Sequence, residues 1–313
     1  MDEFSEDIWS GLRSEPKYLQ SKYFYDVKGD ALFREIMDCP EYYLTRCEME
    51  IFQTQSTTIA KTILSRLTEF DLIELGPGDA TKSIYLLEAI TTQNASFTYF
   101  PIDISENVID QLNLNLPKRI PGIKVEGLKG DYLEMLGKMN GKSARNKVVL
   151  FLGSNIGNIP LDETADFLKA LKSCLSPGDL LLTGFDLKKD PAVILAAYND
   201  AAGITRQFNL NLLQRINDTL GSDFNLSHFE HQPEYDESTG ACKSYLVSLK
   251  EQVVHIGSRG HIHFKAGERI FMEVSQKYSA DQMDTFAREA GFSIVSHYFD
   301  TRSWFLDALW LAE

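Results

Sequence analysis

Glu74, Gly76 and Gly78 form the segment ELGPGD, which overlaps the end of an apolar run, DLIEL (71–75). Glycines at such a place let the backbone turn into a helix and let a ligand approach the main chain closely. Asp103 closes a second run, SFTYFPID (96–103), and Asp131 and Tyr132 follow a third, IKVEGL (123–128). A carboxylate at the second place reaches ribose hydroxyls. At the third, Asp131 accepts from an adenine amino group while Tyr132 packs on the ring. A surface Asp after a strand is common. Three such positions in succession point to one ligand, because open α/β sheets bind ligands at the carboxyl ends of their strands.

The kind of nucleoside follows from a missing glycine. A dinucleotide site usually shows G-x-G-x-x-G, but after Gly78 no glycine occurs until Gly122. Asp79 stands where a helix N-terminus would receive a pyrophosphate, and it would repel one. A sulfonium cofactor with a zwitterionic tail, S-adenosylmethionine, tolerates Asp79 far better. A tight strand–helix turn without any ligand is the plain alternative, and a non-catalytic S-adenosylmethionine-binding protein is another.

Other residues have the chemistry to hold an amino acid. Asn158 lies just past the apolar run NKVVLFLG (146–153). Its amide can donate to a carboxylate and accept from an amine, or simply form the turn in GNIP. Glu273 and Ser275 alternate on one face of a strand, with Met272 and Val274 on the other. A carboxylate and a hydroxyl so spaced can grip an imidazole by its N–H groups; the plain reading is a solvent-facing strand. Tyr198 lies in a helical stretch, where a core aromatic is the simple reading, although the polar neighbours Asn199 and Asp200 favour a partly open position. His261 and His263 alternate without a third ligand nearby, and none of the four cysteines forms a CxxC pair, so no metal is expected.

These residues need a scaffold. From 46 to 187, strands and helices alternate, which requires a parallel sheet with helices on both faces. NKVVLFLG is a continuous apolar strand of the doubly buried kind, and DLLLTGFDL (179–187) is a fifth strand. Two helical stretches follow, then KSYLVSLKEQVVHI (243–256) and HIHFKAGERIFMEVS (261–275), which read as an antiparallel hairpin. A helix (279–291) capped by Ser279 and Gly291 precedes two closing strands at 292–300 and 303–312. The expected fold is α/β: a class I methyltransferase, Rossmann-like, seven-stranded sheet with its last strand antiparallel, and an inserted α+β substrate lobe. Residues 46–187 plus 276–313 form the first domain and 1–45 plus 188–275 the second.

Composition narrows the class further. The 313 residues carry a formal charge of −14, which argues against nucleic acid or an anionic membrane as partner. The N-terminus MDEFSEDIWS does not read as a signal peptide, and no run is apolar enough to cross a bilayer. A cytoplasmic protein with reduced thiols is expected.

Longer segments carry a specific match: KYFYDVKGDALFREIMDCPEYYLTR (22–46), ELGPGDATKS (74–83), FLGSNIGN (151–158), AAYNDAAGITRQFN (196–209) and AGERIFMEVSQKY (266–278). Together they resemble the histidine-specific S-adenosylmethionine methyltransferases of ergothioneine biosynthesis, from about residue 15 to the C-terminus. The resemblance implies cofactor contacts at Gly76, Lys82, Asp103, Asp131 and Tyr132. It implies substrate contacts at Tyr25, Tyr42, Asn158, Tyr198, Glu273 and Ser275, with Tyr25 and Asn158 nearest the chemistry. It also implies a two-lobed monomer that methylates the α-amine of L-histidine, three times, to give the trimethylated betaine. One departure stands out: Ser244 occupies the place where the family usually has a methionine over the imidazole. The rival substrate is another amine, such as tryptophan, beside which Glu273 would have less purpose.

Overall fold

The computed structural model describes residues 3–139 and 141–313. In chain order the helices are α1 (Glu3–Arg13), α2 (Val27–Asp38), α3 (Tyr43–Leu64), α4 (Ser83–Thr91), α5 (Glu106–Arg119), α6 (Tyr132–Met139), α7 (Leu161–Ser173), α8 (Pro191–Ala197), α9 (Ile204–Leu220) and α10 (Ala280–Glu289). The first seven strands are β1 (Lys17–Tyr18), β2 (Glu69–Leu75), β3 (Ser96–Asp103), β4 (Lys124–Val125), β5 (Leu128–Lys129), β6 (Asn146–Phe151) and β7 (Leu180–Asp186). The others are β8 (Phe229–Asp236), β9 (Ala241–Ser248), β10 (Gln252–His255), β11 (His261–Phe264), β12 (Arg269–Gln276), β13 (Phe292–Phe299) and β14 (Phe305–Ala312). The chain divides into two compact units, residues 1–43 with 189–275 and residues 44–188 with 276–313.

The second unit holds an eight-stranded sheet in the order β13-β14-β7-β6-β2-β3-β4, with β5 also paired to β3. The pairs from β7 to β4 are parallel, and β14 is antiparallel to both β7 and β13. This is the expected Rossmann-like order with a reversed closing strand. The third strand, expected over 123–128, is broken into β4 and β5. Gly127 lies at the break, where an added Cβ would run into Ile109 of α5. β7 is buried along its whole length, as a central strand covered on both faces must be. One face packs Ile73, Val149, Phe151, Phe185 and Trp310 against Leu136, Leu168, Leu171 and Met283 of α6, α7 and α10. Capping residues set the helix starts. The Ser105 hydroxyl accepts from Val108 N, and Ser279 forms a reciprocal capping box with Gln282.

The first unit is built on a four-stranded sheet, β1-β12-β9-β8. The two long strands read over 243–256 and 261–275 are each broken in two. β10 and β11 pair with each other as a separate two-stranded sheet, while β9 and β12 belong to the larger one. β8, which pairs antiparallel with β9 along its whole length, was not anticipated. Helix α9 buries Phe208, Leu212, Leu213 and Ile216 in a core with Phe229, Leu246, Ile270 and Met272 from the sheet.

Candidate active site

The carboxyl ends of β2, β3 and β5 carry the residues expected to meet a nucleoside. Gly76 follows β2 with φ +68°, and its N–H donates to Ile102 O at 2.9 Å, tying the turn to β3. A side chain here would collide with the Tyr132 hydroxyl, so glycine is what lets the tyrosine come close. Asp103 ends β3. Its Oδ1 accepts from Ser105 N at 2.8 Å, and its main-chain carbonyl accepts from Gly130 N at 3.0 Å. The second bond links the end of β3 to the turn that carries Asp131. Asp131 Oδ1 accepts from Leu133 N at 3.0 Å and Glu134 N at 3.2 Å, capping α6 and holding the carboxylate at the strand end. The Tyr132 phenol is shifted upward, chiefly by burial and then by Asp103 and Asp131. Gly76, Asp103, Asp131 and Tyr132 are thus tied together by a few short links.

Lys82 lies one residue before α4. Its ammonium pairs with Glu48 of α3, whose side chain is almost wholly buried. Burial pulls the Lys82 pKa down, but Glu48 outweighs it and the net shift is upward. Glu74, the first residue of the glycine turn motif, points inward and accepts from the Tyr99 hydroxyl at 2.5 Å. Burial pushes its carboxyl up to about 7. Neither Glu48 nor its link to Lys82 was evident in the sequence, where a glutamate in a long mixed helix has no distinguishing mark.

Asn158 ends a short 3-10 turn (Asn155–Asn158) beyond β6 and is exposed, beside a shallow hollow with Ile159, Glu163 and Phe167. The turn is held from below. Ser154 sits at φ +55°, its hydroxyl accepts from Asp186 N at 3.2 Å, and Gly157 N donates to Ser154 O at 2.8 Å.

In the other unit, an aromatic path joins four of the five remaining candidates. Tyr25 meets Phe33 edge-on at 5.6 Å, Phe33 meets Tyr42 at 6.4 Å, and Tyr42 meets Tyr198 at 6.2 Å. The Tyr198 hydroxyl then donates to Ser275 Oγ at 2.6 Å. Glu273, two residues before Ser275 on β12, is half-buried. Tyr198 caps the C-terminal end of α8 rather than lying within it. It is only 7% exposed, and its neighbour Asp200 is buried, capping α9 through Ile204 N and Thr205 N. The partly open position expected from polar neighbours is therefore not found: Asp200 is polar because it serves a helix.

Ser244 also differs from expectation. The Tyr245 and Phe271 rings meet at 5.8 Å, which places the odd-numbered residues of β9 and β12, Glu273 included, on one face. Ser244 is buried on the other, alongside Leu246, which packs with Ile270 and Met272. It is not a wall on the Glu273 side of the sheet. Among the described residues, no group of three or more His, Cys, Asp or Glu side chains is placed to hold a metal ion, and no helix is long and apolar enough to cross a membrane.

The sheet order, with its reversed closing strand, is that of a class I S-adenosylmethionine-dependent methyltransferase. Residues 4–312 match the family described as histidine-specific methyltransferase, SAM-dependent, and the chain belongs to that family. It is 36% identical over 286 residues to a histidine N-alpha-methyltransferase of Mycolicibacterium smegmatis, covering 91% of this chain and 87% of that protein. It is 34% identical over 295 residues to the protein of the same name from Mycobacterium tuberculosis, with 94% and 90% covered. It is also 30% identical over 289 residues to ergothioneine biosynthesis protein 1 of Schizosaccharomyces pombe, covering 90% of this chain and 37% of that longer protein.

Proposed function

We propose that the protein methylates the α-amine of L-histidine, three times, to give N,N,N-trimethylhistidine (hercynine), the first step of ergothioneine biosynthesis. The observation that carries the choice of a polar ring is the hydroxyl pair Tyr198–Ser275 at 2.6 Å, with Glu273 on the same face of β12 two residues away. Acceptors so grouped suit the two nitrogens of an imidazole better than an indole with its single donor. The names borne by the bacterial relatives support the same substrate.

In this reading Gly76, Lys82, Asp103, Asp131 and Tyr132 hold S-adenosylmethionine. Tyr42, Tyr198, Glu273 and Ser275 hold the amino acid, and Asn158 grips its amine and carboxylate. The α-amine is cationic at neutral pH and must first lose a proton, for which Tyr25 with a water is the acceptor. The neutral nitrogen then attacks the methyl carbon, the carbon–sulfur bond breaks, and S-adenosylhomocysteine leaves. Such an in-line displacement depends on positioning, which can supply up to roughly 7–11 kcal/mol of barrier lowering. It needs no metal. The enzyme acts as a monomer in the cytoplasm.

Mass spectrometry of a mixture of the twenty amino acids, incubated with the enzyme and S-adenosylmethionine, tests the assignment. Mass gains of one to three methyl groups on histidine alone, located on the α-nitrogen by fragmentation, are expected. Methylation of tryptophan in preference, or of an imidazole nitrogen, would refute it.

A further inference from the structure

Lys82 is surrounded by more acid than its single charge can balance. Glu48 pairs with it directly. Glu48 Oε1 also accepts from Gly153 N at 2.7 Å, in the loop that follows β6. The Lys82 ammonium lies close to that same glycine, 3.5 Å from where a Cβ would stand. One carboxylate from α3 therefore joins the loop after β2 to the loop after β6.

A second carboxyl group supports the first. Asp307 of β14 pairs in register with Gly184 of β7. A Cβ on Gly184 would meet Glu48 Oε1 at 2.5 Å and Asp307 Oδ1 at 3.1 Å, so both acids converge over this glycine. Asp307 is wholly buried, and neither of its oxygens has a hydrogen-bond partner among the described residues. Two ionised carboxylates plus Glu74 around one ammonium would leave uncompensated charge in the interior, which proteins avoid. Burial, and then Glu48, raise the Asp307 pKa well above the usual carboxylate range, so Asp307 is retained as the neutral acid. Glu48 then bears the charge that faces Lys82.

We propose that Glu48 is a positioning residue of the cofactor site: it clamps Lys82 against the loop after β6 and so holds the ammonium toward the cofactor's carboxylate. The inference rests on the assignment of Lys82 to the cofactor made above. Chemistry selects the carboxylate, since it is the only anionic group of S-adenosylmethionine. A lysine ammonium has three donors, so Glu48 can hold one while others go to the ligand. A tether of this kind acts on the amino-acid tail and not on the adenosine half.

The test compares two ligands by calorimetry on the full chain. S-adenosylhomocysteine has the amino-acid tail; methylthioadenosine lacks it. Glu48→Gln keeps the shape and removes the charge. It is expected to weaken S-adenosylhomocysteine at least tenfold while leaving methylthioadenosine within twofold. In a Lys82→Met background, adding Glu48→Gln should change S-adenosylhomocysteine affinity little further. If E48Q fails to fold, Glu48→Asp, which withdraws the charge by one methylene, should give the same contrast on a smaller scale. Unchanged binding of both ligands, equal loss of both, or additive effects of E48Q and K82M would overturn the proposal. Failure of the unaltered protein to bind S-adenosylhomocysteine would instead count against the cofactor assignment itself.

Discussion

The hydroxyls of Tyr198 and Ser275 share a hydrogen bond of 2.6 Å, although the two residues are far apart in sequence and Tyr198 lies on a helix cap while Ser275 lies on a strand. The bond fixes the direction in which each hydroxyl can serve a ligand. Tyr198→Phe removes the donor and leaves Ser275 without this partner. A bond of this kind is worth about 0.5–1.5 kcal/mol, so the histidine KM should rise roughly two- to tenfold. Steady-state kinetics with the cofactor saturating checks this.

Glu273 should decide the choice of amino acid. A pocket built to hydrogen-bond a polar ring discriminates against analogues lacking those groups, because its polar atoms are left unpaired. The unaltered enzyme should prefer histidine over phenylalanine or leucine by a factor on the order of a hundred or more. Glu273→Ala should narrow that ratio and raise the histidine KM. Competition assays across the twenty amino acids give the ratio directly; an undiminished preference in the variant would remove Glu273 from the site.

Ser244→Met is expected to destabilise the protein rather than tighten histidine binding. Ser244 is 1% exposed on the apolar face that carries Leu246. Adding bulk to a packed core costs about 1–3 kcal/mol. Denaturant melts should show that loss. A lower histidine KM without loss of stability would place Ser244 at the pocket after all.

Gly76→Ala should be costly twice over. The residue sits at φ +68°, where a Cβ costs roughly 1–2 kcal/mol. That Cβ would also displace the Tyr132 hydroxyl. Cofactor affinity should fall with stability, and Tyr132→Phe in the same chain should restore part of both. Calorimetry and thermal melts of the single and double variants would show whether the collision is the cause.

Glu74 makes stability depend on pH. Burial, only partly offset by the hydrogen bond from Tyr99, raises its carboxyl from 4.5 to about 7 in the folded protein. The folded state thus holds the proton more tightly than the unfolded chain. The resulting stability is fully present below the unfolded value and is lost as pH rises from about 4.5 to about 7, on the order of 3 kcal/mol in all. Glu74→Gln should abolish this slope. Melts of both proteins at about pH 5 and about pH 8 suffice: a gap between them that does not change with pH would show that Glu74 is not the titrating group.

Much of the fold could be read where one physical signal dominates. β6, β7 and β14 are doubly buried, and their apolar runs announce it. Ser105 and Ser279 cap helices as their positions suggest. β8 was missed because its sequence, FEHQPEYD, alternates with polar residues and contains Pro233, which argues against a strand. The long hairpin reads as two unbroken strands because the breaks at 249–251 and 265–268, LKE and KAGE, are short polar interruptions between runs that alternate on either side. Gly76, Asp103, Asp131 and Tyr132 stand out in the sequence because each closes or follows an apolar run, and the fold does bring them together at strand ends. Tyr25 and Tyr42 are ordinary aromatics in sequence, and only the resemblance singled them out. Glu48 has no sequence signal. Asp307 has one: it is a single acid in the middle of FLDALWLA.

β14 comes last of all the strands in chain order, yet it lies inside the sheet, between β13 and β7. Until residues 305–312 have left the ribosome, β7 has one side of its backbone open, and β13 has no neighbour to pair with. A growing chain that already contains every other strand is therefore still an unfinished sheet, with an apolar edge exposed to other nascent chains. The interval before residues 305–312 emerge is thus a hazardous one, and a deletion of a few residues from β14 should be felt as aggregation before it is felt as lost activity.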